Sequence, residues 1–96
     1  MEGKLLQGKK GIIFGALNDK SIAWQAALKC HEHGAQLVLT NAPVAVRMGT
    51  IGELAEKTGS KVITADATKM EDIDSLLSEA MKHFGGQFDF ILHSIG

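Results

Sequence analysis

The sequence predicts an α/β fold built on a parallel sheet. Four short apolar runs alternate with three amphipathic segments, and glycines or helix caps stand at most of the junctions. The first and last runs are continuously apolar rather than alternating, so their strands need cover on both faces of the sheet.

The run "GIIFG" at 11–15 is rich in isoleucine and reads as a buried strand. From Ser21 to His33, the residues Ile22, Ala23, Ala26, Ala27 and Cys30 fall on one helical face. Gly34 then stands where a helix C-terminus takes a left-handed residue. "QLVLT" at 36–40 is the second strand. The next helix closes at Gly59, and its start has two readings. Asn41 with Pro43 begins it early, whereas Thr50 with Glu53 forms a capping box for a later start. "KVITA" at 61–65 is the third strand. Thr68 and Glu71 make another capping box ahead of "MEDIDSLLSEAMKHF", an amphipathic helix ending at Gly85 and Gly86. "FDFILHS" at 88–94 is the fourth strand. Short, right-handed connections between such elements give a parallel sheet. With the first strand central, the expected order is 3-2-1-4, the Rossmann-like first half of a doubly wound fold.

A chain of 96 residues makes at most one small domain, and buries about two thirds of its unfolded surface. It is 45% hydrophobic and 22% charged with a net charge of −1, which provides no basic arm for nucleic acid and no membrane-surface patch. The apolar runs are too short to cross a bilayer, and "MEGKLLQGKK" has no signal-peptide core. The single cysteine, Cys30, cannot form an internal disulfide, so a soluble cytoplasmic protein is expected.

In a parallel α/β sheet, ligands bind at the carboxyl ends of the strands. The turn "FGALNDKSIA" at 14–23 leads from the first strand to a helix N-terminus, where unpaired N–H groups and the helix dipole suit a pyrophosphate. Gly15 permits the sharp exit, Ser21 is placed as N-cap, and Ala23 is small enough for close helix–strand packing. The usual glycine fingerprint is otherwise broken. A strand end and a helix cap account for Gly15 and Ser21 equally well, so the loop by itself leaves both readings open. His31 and His33 lie two apart on a helix and make a poor metal pair, and no metal site is expected. Trp24, His93 and Cys30 read as packing residues.

"GALNDKSIAW", "ADAT" and the terminal "HSIG" together resemble the enoyl-[acyl-carrier-protein] reductases of bacterial fatty-acid synthesis, divergent short-chain dehydrogenase/reductases. Ordinary members of that superfamily carry G-x3-G-x-G; here Asp19 and Ser21 occupy the second and third glycine positions. The enoyl reductases instead carry G-x5-S-I-A, matched by Gly15 and Ser21-Ile22-Ala23. The resemblance covers the whole chain.

It implies NAD(P)H-dependent reduction of a trans-2-enoyl thioester carried on acyl carrier protein, by a parent enzyme that is a homo-oligomer, a tetramer by family habit. By the same resemblance Gly15, Ser21 and Ile22 line the pyrophosphate and ribose, and Ala42 lies near the adenosine. Asp66 and Ala67 frame the adenine, one by accepting from the exocyclic amine and the other through its backbone N–H. Ala67 is smaller than the valine often found there, which implies a looser adenine wall. Ile95 and Gly96 contact the cofactor largely through backbone. NADH is the expected cofactor, with NADPH open. No Asp or Glu occurs between Glu32 and Glu53 to hold the ribose hydroxyls, and Arg47 reads equally as a 2′-phosphate contact or a surface residue.

The family's catalytic tyrosine and lysine lie beyond "HSIG", and this chain contains no tyrosine, so none of its residues is assigned to catalysis. Residues 1–96 are expected to be the N-terminal part of the dinucleotide-binding domain, inactive alone, with the fourth strand exposing an edge that recruits a partner. Two alternatives stay open: a ketone-reducing short-chain dehydrogenase and a non-catalytic dinucleotide-binding module. Downstream sequence separates them. A tyrosine followed six residues later by lysine marks the enoyl reductase, and three intervening residues mark the ketone reductase.

Overall fold

The computed structural model describes residues 7–16, 20–66 and 68–93. Each apolar run becomes a strand: β1 (Lys10–Phe14), β2 (Gln36–Asn41), β3 (Lys61–Thr64) and β4 (Phe90–His93). The helices are α1 (Ile22–Glu32), α2 (Pro43–Met48), α3 (Ile51–Thr58) and α4 (Met70–Phe84). The strands pair in parallel in the order β3-β2-β1-β4, as the sequence predicts.

Successive side chains of a strand point to opposite faces, so β1 and β2 feed two cores, whereas β4, expected to be covered on both faces, leaves Ile91 exposed. Ile13, Leu37 and Leu39 pack with Ala23, Trp24 and Ala27 of α1 and with Leu54 of α3. Ile12, Phe14 and Val38 pack on the other face with Leu76, Ala80 and Phe84 of α4. β1 therefore sits inside a three-layer sandwich, and its carboxyl end opens where the loops gather.

The inward stripe of α1 differs from the expected one. Trp24 is 3% exposed, whereas Ile22 is 77% exposed at the first position of the helix. Ala23, Trp24 and Ala27 are the buried residues of α1. An indole buries about 150–250 Å², more than an isoleucine offers, so the register that takes Trp24 inward prevails. α1 ends as expected at Gly34, whose φ is 94° and whose N–H donates to His31 O at 2.9 Å. A Cβ there would also meet the Gln7 backbone at 2.9 Å.

The segment expected to form one helix with two possible starts forms two helices, one beginning at each. Pro43 opens α2, and Gly49, in an extended conformation (φ −96°, ψ −169°), interrupts the path before α3 begins. The Thr50 side chain makes no capping bond; the Glu53 N–H donates instead to the Thr50 carbonyl at 2.9 Å. α3 closes at Gly59 (φ 62°) and α4 at Gly85 (φ 76°), where the sequence predicts their ends, and both glycines are left-handed.

β4 starts two residues later than its apolar run. Asp89 is held at the strand entrance by two bonds to one residue: Lys10 N–H donates to Asp89 Oδ2 at 2.8 Å, and Asp89 N–H donates to Lys10 O at 2.6 Å. No helix among the described residues is long and apolar enough to cross a membrane.

Candidate nucleotide site at the carboxyl ends of the strands

The turn after β1 leaves the sheet at Gly15. Its φ is 111°, a conformation that favours glycine, and its N–H donates to the Thr40 carbonyl at 3.0 Å. Ala16 is buried at 1% exposure, and residues 17–19 lie outside the described residues. Ser21 is the N-cap of α1 in extended conformation (φ −80°, ψ 148°), and its side chain makes no capping hydrogen bond to the helix. The first turn of α1 contains no acidic residue, whereas α3 carries Glu53 there and α4 carries Glu71 and Asp72. Carboxylates thus offset the dipole at the starts of α3 and α4 but not in the first turn of α1. Ile22 projects outward there, consistent with a contact residue and not with the core position expected of it.

At the end of β2, Ala42 is the N-cap of α2 and precedes Pro43, which favours its extended conformation (φ −61°, ψ 150°). The Ala42 N–H donates to Asn41 Oδ1 at 2.8 Å, and Asn41 Nδ2 donates to Ala16 O at 3.0 Å. Thr40, fully buried, has no partner for its hydroxyl among the described residues. Arg47 is exposed in the last turn of α2, where a cation complements the dipole.

At the end of β3 the expected capping box is not formed. α4 starts at Met70 with Lys69 as N-cap, and the Thr68 hydroxyl donates to Asp66 Oδ1 at 2.7 Å instead of capping the helix. The Thr68 N–H reaches the same oxygen at 2.9 Å. The Thr68 hydroxyl, then its N–H, hold the Asp66 carboxyl below the usual carboxylate range, with Lys69 adding a smaller push. From the other side, the Asp66 N–H donates to Asp72 Oδ2 at 2.9 Å. Asp66 is thus fixed and ionised at the mouth of the site. Ala67 lies outside the described residues.

At the end of β4, the His93 ring meets Phe14 edge-on at 4.9 Å between centroids, the packing role expected for it. Ile95 and Gly96 lie outside the described residues. Cys30 is half-buried in α1, and burial pushes its thiol up. No group of three His, Cys, Asp or Glu side chains placed to hold a metal ion occurs among the described residues.

A family profile described as enoyl-(acyl carrier protein) reductase matches residues 15–96. The chain belongs to this enoyl reductase family. Over 92 residues, 95% of its length, it is 39% identical to the NADH enoyl-[acyl-carrier-protein] reductase FabI of Rickettsia bellii, covering 34% of that protein. The corresponding Aquifex aeolicus enzyme is 37% identical over 92 residues, with 33% of it covered. A crystal structure of the FabI–NADH complex of Alistipes finegoldii superposes with a TM-score of 0.95 at 60% identity, across 97% of this chain and 33% of that one. An Anaplasma phagocytophilum enoyl reductase in complex with NAD gives 0.81 at 32% identity, across 94% of this chain and 34% of that one. The chain spans about a third of the length of these enoyl reductases.

Of the residues that the resemblance singles out, the fold gathers Gly15, Ser21, Ala42 and Asp66 on loops, and Ile22 at the first position of α1, at one end of the sheet. Two residues of this end escape a reading by motif. Asn41 registers in the sequence only as a helix-start signal, and Asp72 only as part of an amphipathic helix. The available signal for Asn41 is its type: a carboxamide at a strand end can donate to one loop and accept from another.

Proposed function

We propose that residues 1–96 are the N-terminal part of the dinucleotide-binding domain of an NADH-dependent enoyl-[acyl-carrier-protein] reductase. The observation that carries the cofactor reading is the start of α1. There a positive-φ glycine, an N-cap serine and an acid-free first turn stand together. These groups suit a pyrophosphate.

In this reading Gly15 brings the backbone close to the pyrophosphate, and Ser21 and Ile22 contact it and the adjoining ribose. Ala42 borders the adenosine. Asp66 Oδ1 already accepts two bonds from Thr68, so Oδ2 is the atom offered to the adenine amine. Ala67 donates its backbone N–H to the ring, and Ile95 and Gly96 support the cofactor through backbone. NADH is favoured over NADPH because Arg47 has a sufficient role at the end of α2 and because the named relatives use NADH. Bound NADH would supply the hydride that reaches the β-carbon of a trans-2-enoyl thioester on acyl carrier protein. This chain binds and orients; with no tyrosine, it carries no assigned proton donor. The parent enzyme is taken to be a cytoplasmic homo-oligomer.

The test is Ser21→Glu in the full-length protein that carries this chain. The glutamate brings charge and volume to the anion position, and NADH affinity, read by fluorescence titration, falls at least roughly tenfold. Unchanged affinity removes the assignment.

A further inference from the structure

Three loops meet at the carboxyl end of the sheet, and Asn41 is bonded to all three. Its Nδ2 donates to Ala16 O at 3.0 Å, in the turn that leads from β1 toward α1. Its Oδ1 accepts the Ala42 N–H at 2.8 Å, at the entrance to α2. Its main-chain carbonyl accepts the Ala65 N–H at 3.0 Å, one residue before Asp66. The neighbouring Thr40 carbonyl holds Gly15 at 3.0 Å. Resting on the cofactor reading above, we infer that Asn41 is a positioning residue for the dinucleotide: its carboxamide locks the β1–α1 turn to the β2–α2 loop, so that pyrophosphate and ribose are met by one rigid surface.

The chemistry selects a carboxamide at this position. The Ala16 carbonyl stands at the start of a turn meant for an anion, and an unpaired carbonyl dipole there would oppose phosphate binding. Donation from Nδ2 occupies that oxygen. The same planar group then takes the Ala42 N–H, leaving neither backbone group unpaired. An aspartate of the same shape accepts from Ala42 but repels the Ala16 oxygen. An alanine does neither. The two side-chain bonds are specific to asparagine, whereas the main-chain bond to Ala65 survives any substitution.

The experiment uses the full-length protein with Asn41→Ala and Asn41→Asp, measuring the NADH Kd, the KM for NADH, kcat with a saturating crotonyl thioester, and the melting midpoint. For Asn41→Ala, Kd and KM for NADH rise roughly tenfold while kcat holds within about twofold, the pattern of lost uniform binding. For Asn41→Asp, the NADH Kd rises further than for Asn41→Ala, because the carboxylate repels the Ala16 oxygen and brings negative charge beside the pyrophosphate. A merely structural asparagine lowers the midpoint and the active fraction, and neither changes Kd. Kd values within twofold of wild type in both variants overturn the assignment, whatever happens to the midpoint. A Kd for Asn41→Asp no higher than that of Asn41→Ala overturns the role of the bond to Ala16. Wild type that binds no NADH sinks the cofactor reading and this inference together, whereas variants that match a binding-competent wild type sink this inference alone.

Discussion

The Phe90 ring occupies the space that a Cβ on Gly11 would need. The two residues are paired across β1 and β4 in parallel register, and Phe90 packs against the core on the α1 side of the sheet. A glycine inside a strand sacrifices side-chain contacts, and here an aromatic ring from the neighbouring strand restores them. Gly11→Ala forces either the ring or the backbone to move. It should destabilise the protein by about 1–3 kcal/mol in denaturant unfolding. Coupled with Phe90→Ala, the loss should be smaller than the sum of the two single losses, since one steric conflict is shared. Strict additivity would show that the ring moves aside without strain.

The bond from Thr68 to Asp66 gives a pH signature. A carboxylate whose folded pKa is depressed contributes its stability in full above the unfolded pKa, and loses it as pH falls through the folded pKa. Asp66 is such a group. Thr68→Val keeps the backbone N–H donor but removes the hydroxyl, the larger cause. Carbon-detected NMR titration should therefore show the Asp66 pKa rising toward its ordinary value, with a smaller contribution whose acid-side loss is complete at a higher pH. An unmoved Asp66 titration would mean that the N–H alone sustains the shift.

Arg47 decides how the 2′ position is read. As the basic residue of the last turn of α2 it already has a favourable dipole to face. Arg47→Ala in the full-length enzyme should leave the ratio of kcat/KM for NADH to that for NADPH within about twofold. A loss confined to NADPH would show that Arg47 meets the 2′-phosphate.

The outer edge of β4 predicts how the 96-residue polypeptide behaves alone. Ile91 is 51% exposed on the face that α4 covers elsewhere, and among the described residues β4 pairs only with β1. Such an edge recruits another strand. Sedimentation across a concentration series should show self-association, and an NADH-oxidation assay with a crotonyl thioester should show no turnover. An ordered monomer at high concentration would refute the edge argument; turnover in a preparation free of longer enzyme would place the chemistry within these residues.

The sequence by itself determined the four strands and their order, but it left the segment between β2 and β3 as one helix with two possible starts, where the fold has two helices. Short apolar runs, and glycines at helix ends at 34, 59 and 85, are local signals, and local signals survive without knowledge of neighbours. The same is true of Gly15 and Ser21, whose place between a strand and a helix is set by punctuation alone. Tertiary structure decided which partner each polar or bulky side chain takes. Trp24 displaced Ile22 from the core because the sheet rewards the larger buried area. Thr68 looked like a helix cap, yet its hydroxyl binds Asp66, a choice that depends on where the chain leaves β3. Asn41 shows the limit most plainly. Its amide reaches Ala16, 25 residues away in sequence, and that contact exists only because β1 and β2 align in a register that brings their carboxyl ends together. Periodicity reports burial within one element; hydrogen bonds between elements depend on register, and register appears only when the sheet is assembled.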